Sequence, residues 1–89
     1  MNKKDLINEI CCETELTKKE IDLVLTLILE KIMRKVSEGE KVRLVGFGSF
    51  FRVRKKMSTR DVQDKSVDEF FSVKFSPGKF FKQRTNVQN

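Results

Sequence analysis

The chain has 89 residues, with 19 Lys+Arg against 13 Asp+Glu for a formal net charge of +6, eight Phe, one Pro, and no His, Trp or Tyr. A chain this short forms one domain (1–89) at most and buries roughly 60% of its unfolded surface, so it needs a disulfide, a metal or a partner chain to enlarge its core. Cys11 and Cys12 are adjacent, which disfavours a bridge between them, and no His or further Cys completes a zinc set, so oligomerisation is what remains.

In chain order, residues 3–13 place Leu6, Ile7, Ile10 and Cys11 at spacings of three and four, the period of one helical face. Asn2 and Asp5 form a weaker relative of a capping box at its start. Cys11 continues the apolar stripe and reads as packing, whereas Cys12 turns off it. Thr17 to Glu20 makes a better capping box, so a second helix begins there and stops near Gly39. Its core face runs Ile21, Val24, Leu25, Ile28, Ile32 and Val36, but Leu23, Leu27 and Leu29 occupy the opposite side. A helix apolar nearly all round is buried on more than one side, so the extra face is read as a subunit interface. Glu30, Lys31, Arg34 and Lys35 follow too soon for a membrane-surface or membrane-spanning helix, and the polar N-terminus does not read as a signal peptide.

After Gly39 the period changes from 3.6 to 2. Residues 41–45 alternate, Gly46-Phe47-Gly48 intervenes, and Ser49 to Val53 resumes, the pattern of a hairpin with glycines at its turn. Residues 54–68 are polar and charged, with only Met57, Val62 and Val67 apolar, and read as a projecting arm or mobile loop. EFFSVKF (69–75) returns to strand character, and Pro77-Gly78 opens a final short helix with the proline near its first turn.

Charge is divided unevenly along this order. Residues 1–40 hold 7 Lys+Arg against 9 Asp+Glu, and residues 41–89 hold 12 against 4. The densest stretch, FRVRKKMSTR (51–60), has five cations and no acid. Such a field attracts polyanions, nucleic acid or anionic membrane, without sequence specificity; the alternative is a solvated basic face.

Two stretches name a family. VRLVGFGSF (42–50) resembles the turn signature of the bacterial histone-like proteins, the HU and integration-host-factor family, and FSPGKFFK (75–82) resembles that family's C-terminal segment. MNKKDLI, the capped ELTKKE and a long helix ending at EGE are similar to the same proteins in order and spacing, so the resemblance covers residues 1–82. It implies an α+β fold: two N-terminal helices as a dimerisation body (1–40), a three-stranded antiparallel sheet with an extended β-ribbon arm (41–76) and a short C-terminal helix (77–84). The implied assembly is an intertwined homodimer. Leu25, Ile28, Leu29, Ile32, Leu44, Phe47, Phe50 and Phe75 are then expected in the dimer core.

The function implied is architectural binding of double-stranded DNA with little sequence specificity, compacting or bending it in a cytoplasmic, nucleoid setting. Lys3, Lys79 and Lys82 are expected to neutralise phosphates. Backbone amides around Gly46, Gly48 and Ser49, and at Gly78 and Lys79, are expected to donate to phosphate oxygens. Arg52, Arg54, Lys55, Lys56, Arg60, Lys65 and Lys74 are expected to line the arm. The arm departs from the family pattern: MSTRDVQDKSVDEFF lacks the tip proline that kinks DNA, leaving Met57 or Val62 as substitute wedges, and Asp61, Asp64, Asp68 and Glu69 oppose phosphate. The contrasting expectation is a dimeric interaction module that kept the body and lost bending. RNA also fits a phosphate-directed surface.

An enzyme is the poorest fit, because no His, Gly-rich nucleotide fingerprint or Cys–base pair occurs and Glu9 and Glu13 read as surface charge. No cofactor, metal, membrane or small-molecule substrate is therefore expected.

Overall fold

The computed structural model describes residues 1–56 and 69–87, in the order α1 (Lys3–Glu13), α2 (Lys18–Ser37), β1 (Val42–Leu44), β2 (Gly48–Lys56), β3 (Glu69–Pro77) and α3 (Lys79–Thr85). It contains two compact units, Met1–Met33 and Arg34–Asn89. The expected helices, three-stranded antiparallel sheet and short last helix are all present.

In the first unit, capping chemistry starts each helix where the sequence calls for it. The Asp5 amide donates to Asn2 Oδ1 (2.9 Å) while the Asn2 amide donates to Asp5 Oδ2 (3.1 Å). At α2 the Glu20 amide donates to Thr17 Oγ1 (3.1 Å), and the Thr17 hydroxyl returns a bond to Glu20 Oε1 (2.9 Å). Each box satisfies amides that a helix start leaves without partners. Ile7 and Ile21 are buried and Leu25 is half-buried. Burying one such side chain fully contributes roughly 1.5–3 kcal/mol. The Cys11 thiol is half-buried, 3.5 Å from the Leu16 carbonyl oxygen, and Cys12 is exposed.

The second unit opens on the end of α2. Gly39 adopts φ +95, its amide donates to the Val36 carbonyl (3.0 Å), and the Glu40 amide donates to the Lys35 carbonyl (2.9 Å). This paired arrangement terminates the helix through a residue in the left-handed region, which glycine enters without a Cβ penalty.

The sheet runs β1-β2-β3, antiparallel throughout, with Leu44↔Gly48 and Val42↔Phe50 in one ladder and nine pairs from Gly48↔Pro77 to Lys56↔Glu69 in the other. The β1–β2 turn is closed by the Phe47 amide donating to the Leu44 carbonyl (3.0 Å), with Gly46 at φ +85. The arm expected to begin at Arg54 is at its root a regular ladder, Arg54↔Phe71 through Lys56↔Glu69. Met57, Val62 and the acids Asp61, Asp64 and Asp68 lie outside the described residues.

Pro77 is placed differently from the sequence expectation. It ends β3, opposite Gly48, instead of sitting in the first turn of the last helix, which is capped by Gly78 and begins at Lys79. A residue without an N–H is tolerated at a strand terminus, and its fixed φ turns the chain toward the helix.

Four phenylalanines pack on one side of this sheet. Ring centroids of Phe50 and Phe75 are 4.8 Å apart, Phe47 and Phe75 5.2 Å, and Phe47 and Phe81 5.4 Å, all tilted. Tilted pairs at these distances contribute about 0.5–1.5 kcal/mol each beyond area burial. Phe81, in α3, completes a cluster of which the sequence suggested Phe47, Phe50 and Phe75.

Gly48 lies beneath this cluster: a Cβ there would fall 2.6 Å from the Ser76 carbonyl oxygen and 2.7 Å from the Phe75 ring. At Gly46 the nearest atom would be 4.0 Å away. Gly48→Ala is therefore expected to lower stability by about 3 kcal/mol through overpacking, and Gly46→Ala by about 1 kcal/mol through its backbone alone. Urea denaturation of both variants checks this, and a Gly48→Ala variant as stable as Gly46→Ala would contradict the contact.

Candidate nucleic-acid interface

Strand alternation divides the cations of the sheet between its two faces. Residues paired across an antiparallel ladder share a face, and successive residues of a strand alternate. Phe50, Arg52, Arg54 and Lys56 of β2 therefore share the aromatic side with Phe75, Val73, Phe71 and Glu69 of β3. Ser49, Phe51, Val53 and Lys55 share the other side with Ser76, Lys74, Ser72 and Phe70, and Arg43 joins them opposite Ser49. Lys41, one residue before β1, places Nζ 5.7 Å from the Phe51 ring centroid.

This second side is a basic face, and among the described residues no ion pair neutralises its charges. It carries Lys41, Arg43, Lys55 and Lys74, interleaved with Phe51, Val53 and Phe70. A hydrogen bond from Lys74 to the neutral form of Lys55, with the repulsion of the like charge, holds the Lys55 pKa below the ordinary lysine range.

Beside this face lies a shallow groove of about 310 Å³, bounded by Lys41, Arg43 and Lys79, with the Val45-Gly46 turn and Ser76 on its walls. The groove joins the β1–β2 turn, the end of β3 and the start of α3, three segments that are separate in sequence. Lys82 is exposed in the last turn of α3.

The other expected contacts are placed as follows. Ser49 is half-buried on the basic face, and Gly48 is buried under Phe75. The Gly78 amide, expected to meet a phosphate, instead donates to the Phe47 carbonyl (2.8 Å), because closing the turn against the start of α3 requires that donor. Arg52 donates from Nη1 to the Ser37 carbonyl (2.8 Å) and lies 3.8 Å from the Phe71 ring centroid. Arg54 stands 3.4 Å from Glu69 and 5.6 Å from the same ring. Lys3 is held by Asp22 (3.1 Å) and by Thr26 Oγ1 (2.7 Å). Arg60 and Lys65 lie outside the described residues.

Lys41 and Arg43 were not among the expected contacts. The signal was present in their period of two: they alternate with Val42 and Leu44, whose side is the Phe50 side.

An anion set between Lys55 and Lys74 would raise the Lys55 pKa back toward its ordinary value. In the alkaline range between the free and bound pKa values, anion binding therefore takes up protons, and tightens as pH falls through that range. Lys74→Gln is expected to raise the Lys55 pKa toward its ordinary value and to remove this uptake. Side-chain NMR titration and calorimetry in buffers of different ionisation enthalpy check both; an unmoved Lys55 would show that the pair is not coupled.

Among the described residues, no helix is long and apolar enough to cross a membrane and no group of three or more Cys, Asp or Glu could hold a metal ion. Residues 1–86 match the family described as bacterial DNA-binding protein. The chain is 41% identical over 88 residues to DNA-binding protein HU of a Nostoc species, covering 94% of each chain. It is 38% identical over 89 residues to DNA-binding protein HU of Thermotoga maritima, covering 94% of this chain and 98% of that one. Its fold is similar to that of Anabaena HU in a cocrystal structure with DNA, with a TM-score of 0.80, 36% identity, and coverage of 97% and 98% of the two chains. A whole-chain family match, HU relatives at about two-fifths identity and the sheet-and-helix order agree: the chain belongs to the bacterial DNA-binding protein family, of the HU type.

Proposed function

We propose that this protein binds double-stranded DNA as a homodimer, with little base specificity, and compacts or bends it as an architectural component of the nucleoid, without catalysis. The observation that carries this reading is the basic face, where Lys41, Arg43, Lys55 and Lys74 lie on one side of the sheet and Lys74 repels the charged form of Lys55. Phosphates relieve that repulsion, and cations on a flexible stem contact backbone charge without reading bases. The solved Anabaena relative in complex with DNA supports the same partner. Nothing in the geometry favours a dimeric module without a DNA role.

Dimerisation is supported by the apolar surface of the chain. Among the described hydrophobic residues only Ile7, Ile21 and Val36 are buried, while Leu23, Val24, Leu27, Ile28 and Leu29 of α2 are 42–61% exposed. Leu44, Phe47 and Phe75 are also open by 38–43%. A second copy covers such faces and doubles the formal charge of +6 on the particle.

If a dimer neutralises roughly six to ten phosphates, log K falls with log salt at a slope of about −5 to −9. Replacing Lys55 and Lys74 by Ala removes four cations per dimer and should make that slope shallower by about 3 to 4. Fluorescence anisotropy over a salt series measures both, and a slope near zero for the natural chain rejects the mechanism. Ile28→Asp places a charge in the proposed interface and should leave no folded dimer. Sedimentation equilibrium with circular dichroism checks it, because a folded monomer of the natural chain at micromolar concentration excludes the shared core.

A further inference from the structure

We propose that Arg52 is a positioning residue that clamps the root of the β2–β3 ribbon to the last turn of α2, and that it makes no phosphate contact. This rests on the DNA-binding reading above, because the clamp matters for function only if the ribbon grips a duplex.

The strand register places Arg52 on the aromatic side, away from Ser49, Phe51, Val53 and Lys55. Its guanidinium is engaged there on three sides. Nη1 donates to the Ser37 carbonyl at 2.8 Å. The last carbonyls of a helix lack partners within it and carry the negative end of the helix dipole, so a cationic donor is favoured at that point. The guanidinium carbon lies 3.8 Å from the Phe71 ring centroid, a close cation–π stack. Nη2 occupies space that a side chain at residue 39 would contest, since a Cβ on Gly39 would fall 3.1 Å from it. Gly39 therefore has two roles, the left-handed helix terminator and the gap that admits Arg52.

The three partners belong to three different segments: the end of α2, the connection after it, and β3. One planar group with fixed donor directions ties them together, which a lysine could not do while stacking on a ring. Arg54 faces the same Phe71 ring from 5.6 Å, so the ring sits within reach of two cations at the base of the ribbon. A phosphate at Arg52 would compete with the Ser37 carbonyl and the Phe71 ring for the same guanidinium. The two basic residues, three positions apart in sequence, thus have different duties: Arg52 sets where the ribbon leaves the body of this unit, and Lys55, on the opposite face, meets the anion.

Arg52→Met keeps the apolar stem and removes the donors and charge; Phe71→Leu keeps the charge and removes the stack. For both variants of the full chain, DNA affinity is expected to fall about two- to fivefold, the equivalent of one exposed cation–π contact, with the salt slope unchanged. Amide hydrogen exchange of the free protein should rise in residues 52–56 and 69–73 and stay at the natural rate in α1. A slope shallower by about 2 per dimer in Arg52→Met makes Arg52 a phosphate contact and overturns the proposal. So does unchanged affinity with unchanged ribbon exchange, or a rise in exchange spread evenly over the chain. A slope near zero in the natural protein rejects the DNA-binding reading instead, and the exchange data still decide whether the clamp exists.

Discussion

The Phe75 ring lies directly on the bare backbone of Gly48, and the geometry of the sheet unit depends on that contact. With no Cβ at residue 48, the ring reaches 2.7 Å from where one would stand and brings Phe47, Phe50 and Phe81 around it. The same approach sets Gly48 opposite Pro77, ends β3 there, and leaves the Gly78 amide to bond the Phe47 carbonyl. The turn, the strand end and the start of α3 are therefore fixed by one packing event, and the groove beside Lys41, Arg43 and Lys79 is its by-product on the other side of the sheet.

Once register is set, electrostatics follows from the period of two. Arg52, Arg54, Lys55 and Lys56 are four cations within five residues, yet they do not act as one patch. Arg54 and Lys56 stand opposite Phe71 and Glu69, Arg52 is engaged by Ser37 and Phe71, and Lys55 alone turns to the face of Lys74. Ion pairs as exposed as Arg54–Glu69 contribute little to stability, about 0–1 kcal/mol, so Arg54 remains available to a stronger anion in a way that the triply engaged Arg52 does not. A run of like charge in sequence is thus divided by the pleat, three cations to the aromatic side and Lys55 to the other.

The helical residues face a different constraint, a shortage of interior. Three buried apolar side chains among those described cannot by themselves offset the conformational entropy of ordering some eighty residues, at about 1–2 kcal/mol per residue for the backbone. The exposed leucines and isoleucines of α2 supply what is missing only if another surface covers them. Stability and assembly are then the same equilibrium, and the basic faces of two copies are brought onto one particle.

Much of this was legible in the residues. The two capping boxes, the Gly39 terminator, the change of period after it and the excess apolar face of α2 are local or periodic features, and local hydrogen bonding and amphipathicity decide them before any long-range contact forms. The family pattern carried the expected roles of Phe47, Phe50 and Phe75. What the sequence alone could not decide was the allocation of individual groups whose partners lie far along the chain. Phe81 joining the ring cluster, Pro77 closing a strand, the Gly78 amide turning inward and Arg52 capping a helix that ended fifteen residues earlier all require the antiparallel register and the close approach at Gly48. Periodicity reports which face a residue occupies; only the tertiary structure decides what already stands on that face.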